Sequence, residues 1–217
     1  MTFTLNISLS GSDVNHIKKE LQQTVTITQS NPDPSAPGLP VAWVSFSPYE
    51  VNQLTWEVPV GIYAATELQH GYGTLQQVST TEYPADTGDL YVFSDNVFNK
   101  PVPNGGDDGT FYVQNHNGGG LNFGLTQTCM LNGGVLGDGP APLSVTQVGN
   151  GEAATFQIES NIWVYLSSVT NNGTVISSVS SDALKLTMVE FSSVTLEFDA
   201  KNNRFKQATS AALAGSR

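Results

Sequence analysis

Phe3, Leu5, Ile7 and Leu9 share one parity at the start of the chain, with Thr4, Asn6 and Ser8 between them. A period of two sends successive side chains to opposite faces of an extended backbone, so this segment predicts a half-buried β-strand. The alternation returns over 24–28 and 41–46. It is densest at Leu54, Trp56, Val58, Val60 and Ile62. Pro59 interrupts that block without an amide hydrogen, which predicts a bend or an edge position there. Trp43 and Trp56 lie in dense apolar alternation and are read as core anchors.

Further strands are expected over 74–79, 90–94, 110–115, 121–128, 143–148, 153–159, 162–167, 174–179, 183–189 and 194–198. Asn-Gly and Gly-rich turns separate them at 104–106, 117–120, 132–134, 137–140, 150–151 and 172–173. Short, regularly spaced strands joined by such turns predict an all-β, antiparallel β-sandwich. One segment differs. Val14, Ile17 and Leu21 follow a helical spacing, which predicts one short N-terminal helix capped by Ser12 or Asp13. The segment from Asn31 to Pro40 carries four prolines and is expected to form a loop.

Residues 1–206 are expected to form a single β-sandwich domain, followed by a flexible tail over 207–217. A weak internal repeat sets the run from Val60 to Thr66 opposite that from Ile162 to Ser168, and His70-Gly71 opposite Asn172-Gly173. If it reflects duplication, halves near 1–105 and 106–206 are related by pseudo-symmetry.

Charge changes the picture mainly by exclusion. Eight Lys and Arg stand against 19 Asp and Glu, a formal net charge of −11. The few cations are dispersed, so no nucleic-acid partner is expected. Cys129 is the only cysteine, which rules out an intramolecular disulfide and a cysteine-based zinc site. The N-terminal segment has neither a basic region nor an unbroken apolar run, so no signal peptide is expected. Localisation is left open between cytoplasm and release by a non-classical route. The Asn-X-Ser/Thr sites at Asn6 and Asn172 matter only for a secreted chain.

Catalytic patterns are weak. His16, His70 and His116 form no spaced zinc motif, and no Gly-X-Ser-X-Gly elbow is present. Glu57, Glu67, Asp86, Asp89, Asp107 and Asp108 are carboxylates without a spacing that identifies a glycosidase pair. The chain is therefore expected not to be an enzyme and to need no cofactor. Two loops carry recognition chemistry: Asp107 and Asp108 in the first, and His116, Asn117 and Asn122 in and after the second. With His70 and Tyr72 they supply the amides, carboxylates and aromatic face that sugar binding requires. Asp107 and Asp108 also offer oxygen ligands to calcium, although a full EF-hand loop is missing.

In composition and architecture the chain resembles β-sandwich lectins and secreted toxin-like domains, without a diagnostic motif. That resemblance implies a lectin-like protein whose partner is a glycan or another cell-surface ligand. The alternative is a membrane-active or self-assembling β-protein: the Ser- and Thr-rich, low-charge strands of 169–185 have a composition that can line a membrane barrel, which keeps a membrane surface among the partners, and low-charge strands with exposed edges in duplicated halves would make the repeated contacts of a homo-oligomer.

Overall fold

A computed structural model describes residues 1–29, 39–66, 73–137, 139–158, 160–176, 179–188 and 192–208. The strands begin as β1 (Thr2–Ser8), β2 (Thr24–Gln29), β3 (Leu39–Phe46), β4 (Val51–Glu57), β5 (Gly61–Ala65), β6 (Gly73–Thr74) and β7 (Gln77–Thr80). They continue as β8 (Leu90–Ser94), β9 (Val97–Phe98), β10 (Phe111–Asn115), β11 (Leu121–Gln127), β12 (Cys129–Leu131), β13 (Gly134–Val135) and β14 (Ala141–Pro142). The last are β15 (Ser144–Val148), β16 (Ala153–Phe156), β17 (Asn161–Ser167), β18 (Thr174–Val175), β19 (Leu184–Thr187), β20 (Ser193–Asp199) and β21 (Arg204–Gln207). The fold is an all-β, sandwich-like stack of sheets with one short helix.

Three sheets form. The first has six strands in the order β13, β12, β4, β1, β20, β21, and the second has four in the order β16, β10, β8, β9. The third has eleven, with the main path β19, β17, β2, β3, β15, β11, β5, β7, and with β14, β18 and β6 attached beside it. Strands from both sides of residue 105 occur in every sheet. Among the described strands, pairing is antiparallel except between β1 and β20 and between β8 and β10.

One buried cluster runs from Phe3 to Phe205 and draws on all three sheets, with Leu54 and Leu196 from the first, Phe93 and Phe156 from the second, and Ile27 and Ile162 from the third. Each such side chain contributes on the order of 1.5–3 kcal/mol by leaving water. Trp43 is fully buried and meets Trp56 edge-on at 5.5 Å, while Phe3 stacks on the other indole at 5.6 Å. Both tryptophans are core anchors, as the alternation implied.

The central strands are buried on both faces, which simple alternation did not anticipate. In β5, Ile62 and Ala64 enter the main cluster, whereas Tyr63 and Ala65 join Leu75, Val145 and Val175 in a second, smaller one. The polar parity of β2 is buried too. Thr26 pairs its hydroxyl with that of Ser167 at 2.7 Å, and Thr28 donates to the carbonyl of Val41 at 3.2 Å. Hydroxyls satisfied in this way carry little of the penalty of burial.

Pro59 marks more than a bend. β4 ends at Glu57 in the six-stranded sheet, and β5 starts at Gly61 in the eleven-stranded one. β11 and β12 make the same passage, Thr126 pairing with Gly61 and Cys129 with Trp56. Two adjacent chains therefore turn the same corner between sheets. The Gln127 side chain holds it, its Nε2 donating to the carbonyls of Glu57 at 2.6 Å and Val58 at 3.3 Å.

The helix α1 (Gly11–Asn15) runs into a π-helical turn over His16–Glu20. Its cap is Ser10, not Ser12 or Asp13. The Asp13 amide donates to the Ser10 hydroxyl at 3.1 Å, and the Ser10 amide donates back to the Asp13 carboxylate at 3.0 Å, a capping box. His16 bonds Asn203 at 2.9 Å and Glu20 at 2.7 Å, and those two bonds raise its pKa. Pro40, expected in a loop, lies in β3 opposite Ser144, near the strand start where its missing amide is tolerated. Gln207, placed in the tail by the sequence, closes β21 opposite Leu196.

Burial pushes the Cys129 thiol up to about 12. The thiolate is the reactive form, so native protein at neutral pH is expected to resist iodoacetamide while urea-unfolded protein alkylates fully. Mass spectrometry reads both; rapid alkylation of folded protein would contradict the burial.

Candidate functional site

The two loops singled out by the sequence do not meet. β8 and β10 run parallel, with Tyr112 beside Leu90 and Asn115 beside Phe93. Asp107 and Asp108 therefore precede the strands at one end, and His116 and Asn117 follow them at the other. About 15 Å of strand lies between, at roughly 3.3 Å per residue.

At the first end, Asp107 is tied to its own strand. The Tyr112 hydroxyl donates to its carboxylate at 3.1 Å, and the Asp107 amide donates to the same phenol at 3.1 Å. The Tyr112 ring occupies the space above Gly106, where a Cβ would lie 1.8 Å from a ring carbon. Asp108 is exposed beside Gly88. Among the described residues, no group of three or more His, Cys, Asp or Glu side chains converges as a metal site would require.

At the other end, three asparagine turns are knotted together. Asn117 accepts from the Asn96 amide at 2.8 Å and returns a bond to the Asn96 side chain at 2.9 Å. Buried Asn115 donates to the carbonyls of Gly119 and Val148, each at 2.8 Å, and the Gly118 amide donates to the Asn150 side chain at 3.1 Å. His116 is exposed, its amide donating to the Phe93 carbonyl at 2.8 Å. Asn122 is buried in β11 and spends its side-chain amide on the Thr66 carbonyl at 2.8 Å. These amides hold turns in place, the work Asn does well where φ is positive, as at Asn96. His70 and Tyr72 lie outside the described residues.

A different region has the shape of a binding site. A cleft of about 790 Å³ opens where three distant parts of the chain meet: Leu75–Gln77, residues 136–137 with 139–142, and the turn from Thr170 to Gly173. Strand pairing brings the first and last of these together, because β18 pairs with β6 as well as β3, while β14 reaches the cleft from its pairing with β11. The Leu75 amide donates to the Gly173 carbonyl at 2.9 Å, and the Gly173 amide donates to that of Ala42 at 2.8 Å. Gly173 takes a φ of +75°, and a Cβ there would sit 3.3 Å from Pro142. Glycine allows both the turn and the approach.

The lining divides into fixed and unused groups. Asn172 accepts from the Ser45 amide at 2.8 Å, and Gln77 donates to the Pro140 carbonyl at 3.1 Å. Gln76 and Asn171 are exposed, and their side-chain amides have no partner among the described residues. Leu75, Leu136, Pro140 and Pro142 add apolar surface. Among the described lining residues, no side chain ionises at neutral pH.

Sequence reasoning read Asn172-Gly173 as a turn and 74–79 as a strand, and it identified neither as a wall of a cleft. No local signal connects them; only the long-range pairing of β18 does. No family model, curated protein or solved structure matches the chain.

Proposed function

We propose that the protein is a non-enzymatic recognition protein that holds a neutral glycan in the cleft between Leu75–Gln77 and the Thr170 to Gly173 turn. The uncharged, amide-bearing character of the described lining residues carries this reading, because it occurs in a chain whose formal net charge is −11. Side-chain amides donate and accept at once, which matches adjacent sugar hydroxyls. The flat faces of Pro140 and Pro142, with Leu75 and Leu136, suit the apolar face of a sugar ring. A volume of about 790 Å³ falls within the usual range for ligand sites. The described lining residues offer no carboxylate pair and no imidazole, which supports binding without bond cleavage.

Asn171→Ala and Gln76→Ala are each expected to weaken binding about tenfold, near the 1.4 kcal/mol that a lost neutral hydrogen bond and its desolvated partner entail. A glycan array of neutral and sialylated sugars, followed by calorimetry on a hit, is the measurement. Both positions are exposed, so circular dichroism should stay native. Asn117→Ala serves as a comparison and is expected to leave affinity unchanged. Binding to no sugar, or binding indifferent to both cleft substitutions, would overturn the proposal.

A further inference from the structure

Five Asn-Gly pairs occur in the chain, beginning at Asn104, Asn117, Asn132, Asn150 and Asn172. Such a pair can close on itself. Glycine has no side chain to shield its main-chain nitrogen, so that nitrogen can reach the carbonyl carbon of the preceding asparagine side chain. Closure needs two groups free at once: the asparagine side-chain amide and the N–H of the glycine that follows.

Four of the pairs have those groups committed. Asn117 exchanges two bonds with Asn96, and the Gly118 amide donates to the Asn150 side chain at 3.1 Å. Asn132 accepts from the Gln53 amide at 2.7 Å and donates to the Val51 carbonyl at 3.3 Å. Asn150 accepts the Gly118 bond, while the Gly151 amide donates to the Asn115 carbonyl at 2.7 Å. Asn172 accepts from the Ser45 amide, and the Gly173 amide donates to the Ala42 carbonyl, each at 2.8 Å. Asn104 differs on both counts. Its side chain is exposed, and neither that side chain nor the Gly105 amide has a partner among the described residues. Only the main-chain amide of Asn104 is engaged, donating to the Asp89 carboxylate at 3.3 Å, and ring closure does not use it.

We propose that Asn104-Gly105 is a self-modification site, at which the folded protein deamidates to aspartyl and isoaspartyl forms while the other four pairs are protected. The Gly105 nitrogen gives its proton to hydroxide and attacks Cγ of Asn104. The new N–Cγ bond closes a cyclic imide, and the Cγ–Nδ2 bond breaks as the nitrogen takes a proton from water and leaves as ammonia. Water then opens the imide. Addition at Cγ leaves an aspartate, and addition at the main-chain carbonyl carbon leaves an isoaspartate, whose backbone runs through one extra methylene. Either product adds a negative charge beside Asp89. The longer backbone of the second has little slack to use, because Gly106 donates to the Gly88 carbonyl at 2.9 Å and lies beneath the Tyr112 ring.

The full chain, incubated at mildly alkaline pH with and without urea and then cut with chymotrypsin, gives the rate at each pair by mass spectrometry. In native protein Asn104 is expected to deamidate about tenfold or more faster than each of the other four, which must first open their hydrogen bonds. In urea that lead should vanish, since all five pairs have the same local chemistry. Asn104→Gln should remove the early acidic form seen on isoelectric focusing. Should that variant fail to fold, the native and urea rates of the unaltered chain still decide. No native deamidation at Asn104, an equal native rate at any other pair, or the same lead for Asn104 in urea would each overturn the assignment.

Discussion

Gly124→Ala is expected to destabilise the protein by about 3 kcal/mol or more, the upper end for overpacking a closed core. A Cβ at this position would lie 2.1 Å from the Ser144 carbonyl oxygen and 2.9 Å from a ring carbon of Tyr63. Neither neighbour can move cheaply. Ser144 belongs to β15 and is held opposite Pro40, while Tyr63 is fully buried and donates its hydroxyl to the same Ser144 carbonyl at 2.5 Å. Tyr63 also lies directly across the ladder from Gly124, so its ring fills the space that a side chain would have taken. Burial of that phenol pushes its pKa well up, so it keeps its donor proton at ordinary pH. Gly119 is the comparison: its Cβ would meet nothing within 4 Å, and Gly119→Ala should shift stability by less than about 0.5 kcal/mol. Urea unfolding of both variants measures the difference. Equal stability would mean that the close approach of β11 and β15 is wrong.

Trp43→Ala should cost about 4 kcal/mol, from a lost indole and the cavity it leaves. The indole is fully buried, edge-on to Trp56, and donates from Nε1 to the Gln127 carbonyl at 3.2 Å. Truncation therefore loosens the core where β11 is about to leave its sheet for the facing one. A loss of that size approaches the whole stability of an ordinary domain. Trp43→Phe keeps most of the ring packing but leaves the carbonyl unpaired, so it should lose less, about 1–3 kcal/mol. A native-like midpoint for the alanine variant would show that the two sheets do not share one core at this point.

Much of the fold was legible because burial of one face of a strand leaves a period of two in the residues themselves. β1, β8 and β10 follow it closely, and so does β4 as far as Glu57. The pattern loses information where a strand is covered on both sides. β2, β5 and β11 have both parities buried, and their inward polar residues such as Thr28 and Gln127 read in the sequence as solvent-facing. Pro59 announced an interruption, but a missing amide hydrogen says nothing about which sheet the chain enters next. The hairpin of β12 and β13 was read only as a turn, since Gly134 and Val135 are too few to show any period.

The candidate sites were harder to read for a different reason. Gly- and Asn-rich loops signal positive φ and turn formation whether or not they bind anything, and Asn96, Asn115 and Asn117 spend their amides on one another and on neighbouring carbonyls. The cleft depends on which distant turns are brought side by side. Gln76 and Asn171 are ordinary surface amides until β18 pairs with β6. Gln127 likewise reads as the polar member of an alternating pair, and only the corner shows that its side chain ties the end of β4 to the passage out of β11.

The most direct test of the recognition account is an amide-resolved NMR titration of the full chain with a glycan drawn from the array. Resonances of Gln76, Gln77, Asn171 and Gly173 are expected to shift together and saturably, including both side-chain NH₂ groups of Gln76 and Asn171. Saturable shifts confined to Asn96, Asn117 and Asn150, or to Asp107 and Asp108, with the cleft resonances unmoved, would contradict it.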